Sequence, residues 1–170
     1  ILFTEEDILN RLGEMAKEIE RDYEGEDLLI VGVLRGAVMV MADLARSFSR
    51  HIEMDWMAIS SYGSGTKSSG VVRIQKDLDT DITNRHVLIV EDIIDTGLTL
   101  NYLLRYLREK GPASLTVCCL LDKPARRLTE IAIDYVGFTI PDQFVVGYGL
   151  DVAQKYRDLP FIGVVESQGG

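Results

Sequence analysis

Two carboxylates stand side by side at the end of an apolar run, in the segment VLIVEDIIDTGLTL (87–100). The run predicts a buried strand that ends at Glu91 and Asp92. Asp95 follows, and DTGLTL (95–100) opens an apolar pattern with helical spacing. Amides at a helix start and threonine hydroxyls can bind a phosphate, whereas carboxylates accept hydrogen bonds from a vicinal diol. The segment therefore predicts a site for a ribose 5-phosphate.

The same residues have a plainer interpretation. An acidic strand end followed by an ordinary helix N-cap would explain an isolated Glu-Asp pair. The loop is also not a Walker loop, because the Gly-Lys-Ser/Thr ending is absent. The full order of apolar run, acid pair, Asp-Thr-Gly and helix favours the ligand site.

Strands and helices alternate along the rest of the chain. Amphipathic spacing predicts helices at 4–21, 35–48 and 98–111, and short apolar runs predict strands at 27–34, 52–60, 71–78, 85–93, 114–122, 132–138, 144–148 and 161–165. This order predicts one α/β domain over residues 1–170, with a mostly parallel, twisted sheet flanked by helices. Ligands of such sheets bind beyond the carboxyl ends of the strands, where the acid pair lies.

Composition narrows the function classes. The chain has 170 residues, 46% hydrophobic content and a net charge of −9, which argues against general binding of nucleic acid. No apolar run is long enough to cross a membrane, and the N-terminus is unlike a signal peptide. Cys118 and Cys119 lie in an apolar run and are predicted to be buried free thiols, which fits a cytoplasmic protein.

The segment 87–100 resembles the phosphoribosyl pyrophosphate (PRPP) motif of type I phosphoribosyltransferases. Further segments resemble the hypoxanthine-guanine branch of that family, and they are LRG (34–36), SSYGSGTKSSG (60–70), LDKPARR (121–127) and PDQFVVGYGLDVAQKYRDLPFIGVV (141–165). The resemblance implies the type I phosphoribosyltransferase fold with a small hood and a flexible lid loop. It also implies purine salvage, in which the 5-phosphoribosyl group of PRPP passes to N9 of hypoxanthine or guanine, giving IMP or GMP and pyrophosphate.

The resemblance gives the acid pair and the following loop separate roles. Glu91 and Asp92 would hold the ribose hydroxyls. Asp95 would also act as the general base that takes the N7 proton of the purine as N9 attacks, although Asp is a common helix N-cap as well. The 5′-phosphate would be held by Asp95, Thr96, Gly97, Leu98 and Thr99.

Pyrophosphate and Mg²⁺ would lie at the other end of PRPP. The resemblance assigns pyrophosphate to Leu34, Arg35, Gly36 and Arg157, with a non-proline cis peptide before Arg35, where some members carry Lys. Arg127 is a further candidate, although KPARR also fits a solvated helix start. Mg²⁺ would be held by Asp151, with Glu91 and Asp92 as additional ligands.

The base would be recognised by Lys123, Phe144, Val145 and Asp151. Lysine is only a donor, so Lys123 placed against the purine 6-oxygen should reject the amino group of adenine. Phe144 would stack on the purine, and the main chain near Val145 and Asp151 would contact its edge. Ser61, Tyr62 and Gly63 would begin the lid, although loop composition alone fits a simple hairpin tip.

Two other functions are compatible with parts of this sequence. A regulator that binds PRPP without turnover should show a basic face or an added DNA-binding domain, which an isoelectric point near 4.7 does not favour. A transferase for xanthine, adenine or a pyrimidine is the other possibility, and sequence does not rank hypoxanthine, guanine and xanthine. The resemblance also implies a homo-oligomer, either a dimer or a tetramer. The negative charge and the lack of a long apolar run predict no nucleic-acid or membrane partner.

Overall fold

A six-stranded sheet forms the centre of the computed structural model, which describes residues 1–61 and 72–166, with only the main chain described at Ser61. The strands are β1 (Leu28–Leu34), β2 (Glu53–Ser61), β3 (Val72–Lys76), β4 (His86–Ile94), β5 (Ser114–Asp122) and β6 (Tyr135–Thr139). Their order across the sheet is β3-β2-β1-β4-β5-β6. All neighbours pair in parallel except β2 and β3, so the mostly parallel sheet is confirmed.

Helices cover both faces of the sheet. The first face carries α1 (Glu5–Asp22) and α2 (Val38–Ser47), whose apolar sides join the buried side chains of β1, β4 and β5. The other face carries α3 (Leu98–Arg108), which buries its four leucines other than Leu98 against the sheet. Coverage of both faces explains why the strands are continuous apolar runs. Within the described ranges, no helix is long and apolar enough to cross a membrane.

A second, two-stranded antiparallel sheet pairs β7 (Val145–Val146) with β8 (Gly163–Val164). We call residues 141–165 the hood. The predicted strands at 144–148 and 161–165 were too long, because the chain turns directly after β7 with hydrogen bonds between Gly147 and Leu150. A stretch of apolar residues does not itself specify where a strand gives way to a turn.

The helix predicted at 35–48 begins three residues later in the structure, at Val38. The peptide between Leu34 and Arg35 is cis, and Ala37 and Val38 donate their N–H groups to Val33 and Arg35 in a turn before α2 starts. The strand β1 therefore passes into a compact loop rather than directly into a helix. That loop lies at the carboxyl edge of the sheet, beside the end of β4.

Candidate functional site

A cavity of about 210 Å³ opens at the carboxyl ends of β1 and β4. Its apolar wall includes Val33, Ile59 and Leu100. The cavity contains most of the residues predicted to bind the ribose phosphate and adjoining groups, namely Leu34, Gly36, Glu91, Asp92, Asp95, Thr96, Gly97 and Thr99. The sheet edge thus brings together residues from two strands that are far apart in the sequence.

The acid pair is the least favourable electrostatic feature of this cavity. Glu91 is only 9% exposed, and burial together with the nearby carboxylates of Asp92 and Asp95 raises its pKa well above the ordinary value. Burial also raises the pKa of Asp92 to about 6, although the N–H of Ile93 and the positive charge of Arg157 act in the opposite direction. Ionised carboxylates in such a position need donors or a cation, and a ligand can supply them.

The predicted phosphate loop forms the wall of the cavity beside the acid pair. Gly97 precedes α3 in the left-handed region, at φ 82°, and a side chain there would lie 2.8 Å from Ile131 Cδ1. Glycine therefore fits both the turn and the packing. The N–H of Leu98 donates to Thr96 Oγ1 at 3.3 Å, and Asp95 Oδ1 accepts from the N–H of Thr96 at 2.7 Å. The Asp95 side chain remains exposed at the cavity.

The loop after β1 approaches the acid pair without any side chain between them. A Cβ on Gly36 would lie 1.9 Å from Asp92 Oδ2. On the hood side, a Cβ on Gly149 would lie 2.2 Å from the carbonyl oxygen of Gly36. The end of β4, the loop after β1 and the hood thus meet in direct contact at this point.

Three residues assigned to pyrophosphate and Mg²⁺ are grouped beside this meeting point. Arg157 donates to the carbonyl oxygen of Gly149 at 2.6 Å and lies 3.4 Å from Asp151. Arg35 and Arg157 both donate to Oε1 of Gln154. Sequence reasoning missed Gln154, since an exposed glutamine in a turn carries no spacing signal of its own.

Arg127 lies elsewhere. Its side chain forms an ion pair with Asp122, and its Nε donates to the carbonyl oxygen of Asp95 at 3.0 Å. Its neighbour Leu128 donates its N–H to the carbonyl oxygen of Thr96 at 2.9 Å. This placement does not support the pyrophosphate contact predicted for Arg127. The residue instead supports the loop before α3 from behind, because it holds the carbonyl oxygen of Asp95 while its charge is paired with Asp122 at the end of β5.

Lys123 is a buried cation rather than a solvated one. The residue is 7% exposed. Its main-chain N–H donates to the carbonyl oxygen of Ile94 at 2.9 Å, which fixes the main chain of Lys123 beside the end of β4. Its ammonium lies 4.0 Å from Asp142, which also pairs with Arg126 at 3.5 Å. Sequence reasoning missed Asp142. An ammonium buried with one distant carboxylate has capacity to donate to a ligand acceptor.

The remaining predicted base contacts lie on the hood. Phe144 is 58% exposed, so its ring is available to a partner, whereas Val145 is buried in β7. Among the lid residues, Tyr62 and Gly63 fall outside the described residues. Ser61 ends β2, close along the chain to the cavity residue Ile59.

Comparisons with known proteins agree with this geometry. Residues 2–153 match the phosphoribosyl transferase domain family. A hypoxanthine-guanine phosphoribosyltransferase of Mycobacterium avium is 52% identical to this sequence, covering 98% of this chain and 85% of that protein. A bifunctional TilS/HprT protein of Listeria monocytogenes is 47% identical over 99% of this chain, which spans only 26% of that protein.

Solved structures agree with the sequence comparison. The crystal structure of a hypoxanthine phosphoribosyltransferase from Staphylococcus aureus superposes with a TM-score of 0.94 at 47% identity, covering 98% of this chain and 90% of that one. The likeness extends over the sheet, the helices and the hood together. The chain therefore belongs to the phosphoribosyltransferase family, in its hypoxanthine-guanine branch.

Proposed function

We propose that this chain is a purine salvage enzyme that transfers the 5-phosphoribosyl group of PRPP to N9 of hypoxanthine or guanine. The products are IMP or GMP and pyrophosphate. The observation that carries the proposal is the shared cavity of the Glu91–Asp92 pair and the loop that begins α3. Buried carboxylates accept from a diol, and the loop offers a helix N-terminus to a phosphate, so a ribose 5-phosphate satisfies both.

The acid pair has a second use in this reaction. Cleavage of the bond to pyrophosphate develops positive charge on the ribose ring, and carboxylates fixed in a water-poor cavity stabilise that charge. Glu91 is buried and Asp92 is half-buried at the place where the ribose would lie, and removal of their negative charges from water without full compensation raises the pKa of both. The developing cation and the hydroxyl donors of the substrate supply that compensation.

Asp95 is the proposed general base. Its carboxylate is exposed at the cavity, and Lys123 follows the neighbouring strand end, so both flank the space for a purine. The Asp95 carboxylate would take the N7 proton of the purine while the Lys123 ammonium donates to the purine 6-oxygen. Phe144 would stack on the ring, and the main chain at Val145 and Asp151 would contact its edge. Lid closure through Ser61, Tyr62 and Gly63 would exclude water.

Mg²⁺ is the proposed metal cofactor, and the donor chemistry of the site fits it. Asp151 would hold the ion at the pyrophosphate end, with Glu91 and Asp92 available on the ribose side. Within residues 1–61 and 72–166, no group of three or more His, Cys, Asp or Glu side chains is arranged to hold a metal ion. This fits an ion that takes its remaining ligands from substrate oxygens and water. When bound, Mg²⁺ neutralises charge on the pyrophosphate leaving group.

The wider setting is also part of the proposal. We propose that residues 1–170 act as one phosphoribosyltransferase domain in a cytoplasmic homo-oligomer, either a dimer or a tetramer, without a nucleic-acid or membrane partner. The free thiols of Cys118 and Cys119 fit a reducing compartment, and burial raises the pKa of both.

Pyrophosphate release is the direct test. The protein is incubated with PRPP and Mg²⁺, and hypoxanthine, guanine, xanthine and adenine are supplied separately. Release with hypoxanthine or guanine but not with adenine supports the proposal, and the relative rates rank the bases. Binding of PRPP without release from any base would instead favour a regulator that binds PRPP.

A further inference from the structure

Gln154 stands between the two guanidinium groups that we assign to pyrophosphate. Its Oε1 accepts from Nη1 of Arg35 at 3.1 Å, and from Nε and Nη2 of Arg157 at 3.3 and 3.2 Å. Arg35 belongs to the loop after β1, whereas Arg157 belongs to the hood. One neutral oxygen therefore joins two cations from separate parts of the chain.

The main chain holds Gln154 in a fixed and unusual position. Its φ is 68°, in the left-handed region that residues other than glycine seldom adopt, and Ala153 and Tyr156 nearby also have positive φ. Its N–H donates to Asp151 Oδ2 at 2.9 Å. The turn is thus tied to the proposed Mg²⁺ ligand while the side chain reaches the two arginines.

We propose that Gln154 is a positioning residue that organises Arg35 and Arg157 for the pyrophosphate end of the substrate; this rests on the proposed function. Two like charges on long side chains repel and sample many rotamers, and a shared acceptor reduces both effects before the ligand arrives. A phosphate oxygen then replaces the amide oxygen, since guanidinium and phosphate also attract each other as opposite charges and can form paired hydrogen bonds.

The test measures pyrophosphate binding and turnover separately. Gln154→Met keeps the length of the side chain and removes its acceptor. Calorimetric titration with pyrophosphate and Mg²⁺ should give a Kd about fivefold higher, consistent with the usual worth of a lost hydrogen bond. The KM for PRPP should rise by a similar factor, while kcat and the melting temperature stay near the wild-type values.

Two control variants separate positioning from a purely structural role. Gln75→Met replaces an exposed glutamine on β3 and should leave Kd, KM and kcat unchanged. Gln154→Asn keeps an amide but shortens the side chain, and Asn tolerates the left-handed region better than Gln. If reach to the arginines matters, Gln154→Asn should also weaken pyrophosphate binding. A backbone role predicts wild-type binding by this variant, and that result would overturn the proposal.

The two proposals fail in different ways. An unchanged Kd for pyrophosphate in Gln154→Met, with normal turnover of 6-oxopurines, would overturn the positioning role and leave the proposed function intact. A lower Kd would also overturn it, because Gln154 would then compete with the ligand more than it organises the arginines. Absence of pyrophosphate release by the wild-type protein with every base would overturn the proposed function, whereas the calorimetric comparison still decides the role of Gln154.

Discussion

Gly36 and Asp92 approach so closely that a single added carbon would not fit between them. The position of a Cβ on Gly36 lies 1.9 Å from Asp92 Oδ2, far inside van der Waals contact. The loop after β1 therefore rests against the carboxylate that we assign to a ribose hydroxyl. A change in one of these two parts of the site must displace the other.

Gly36→Ala should consequently impair activity more than it impairs folding. The added methyl group pushes the Asp92 carboxylate away from the proposed ribose position and moves the main chain that we assign to pyrophosphate. A misplacement of this kind costs on the order of a hundredfold in kcat/KM for PRPP. Steady-state kinetics, together with thermal melting, would show the expected difference between activity and stability.

Gly13→Ala is the matched control for this prediction. Gly13 lies within α1, and a Cβ there would meet nothing within 4 Å. Alanine should stabilise the helix by about 0.5–1 kcal/mol and leave the kinetics unchanged. Equal activity of Gly36→Ala and Gly13→Ala would show that the contact with Asp92 has no functional role.

Asp95→Asn should lower kcat by about 10²–10⁴ while PRPP binding stays close to wild type. The amide oxygen of Asn can still accept from the N–H of Thr96, as Asp95 Oδ1 does at 2.7 Å, so the loop keeps its shape. What the variant loses is the ability to take a proton. Single-turnover kinetics and PRPP titration separate the two effects, and wild-type turnover would remove Asp95 from the general-base role.

Lys123→Ala should reduce discrimination between hypoxanthine and adenine. The ammonium of Lys123 is buried with Asp142 at 4.0 Å, so an amino group at C6 of adenine would leave it without an acceptor. Removal of this penalty against adenine should reduce the selectivity for hypoxanthine by about 1–3 kcal/mol, or roughly ten- to a hundredfold in the ratio of the two kcat/KM values.

Arg126→Met is the control for the lysine variant. Arg126 pairs with the same carboxylate, Asp142, but its side chain is 53% exposed. Its removal should leave the base preference unchanged. If both variants alter selectivity equally, the effect comes from Asp142 or from general charge, and Lys123 does not contact the base.

The proximity of the acid pair to the loop before α3 could be predicted from sequence, because these residues follow one another in the chain. Glu91, Asp92 and the loop through Thr99 are contiguous, and a strand followed by a helix fixes their relative positions. The parallel sheet followed from the alternation of apolar runs and amphipathic helices for the same reason. Short-range rules suffice when all the members of a site belong to one strand-loop-helix unit.

Contacts between distant segments could not be predicted in this way. Gln154 reaches Arg35 across 119 positions of sequence, and Asp142 reaches Lys123 from the hood. The ion pair between Arg127 and Asp122 was also not foreseen, because the turn after β5 brings these two residues together. These pairings depend on how the hood and the loops fold back on the sheet, which residue spacing does not encode.

The acid pair should make stability depend on pH in an unusual direction. Burial raises the pKa of Asp92 to about 6, so the folded chain holds this proton more tightly than the unfolded chain does. The contribution of Asp92 to stability is therefore most favourable below its unfolded-state pKa of about 3.9. It is lost as pH rises through the folded-state pKa of about 6. Glu91 acts in the same direction, because burial and its acidic neighbours also raise its pKa.

Asp92→Asn tests this linkage. The variant should be more stable than wild type at pH 8, on the order of 1 kcal/mol, because it removes a half-buried negative charge. The difference should shrink as pH falls through about 6, where Asp92 takes up a proton in the folded wild type, and should be smallest below about 3.9. Urea unfolding across this pH range measures it, and a constant difference at all pH values would contradict the assignment to Asp92.

Arg127→Met should destabilise the protein and weaken its hold on the 5′-phosphate. The side chain is 18% exposed and its partner Asp122 is 15% exposed, so removal leaves a carboxylate with little solvent at the end of β5. Loss of a partner from such a pair costs about 3 kcal/mol. The carbonyl oxygen of Asp95 also loses its donor, and the phosphate loop becomes less well fixed.

The stability loss and the functional loss can be separated by neutralising both partners. Arg127→Met combined with Asp122→Asn removes the uncompensated charge, so unfolding in urea should recover part of the stability. The KM for PRPP should remain raised, because the hydrogen bond to Asp95 is still absent. Recovery of a wild-type KM in the double variant would mean that Arg127 acts on the phosphate loop only through overall stability.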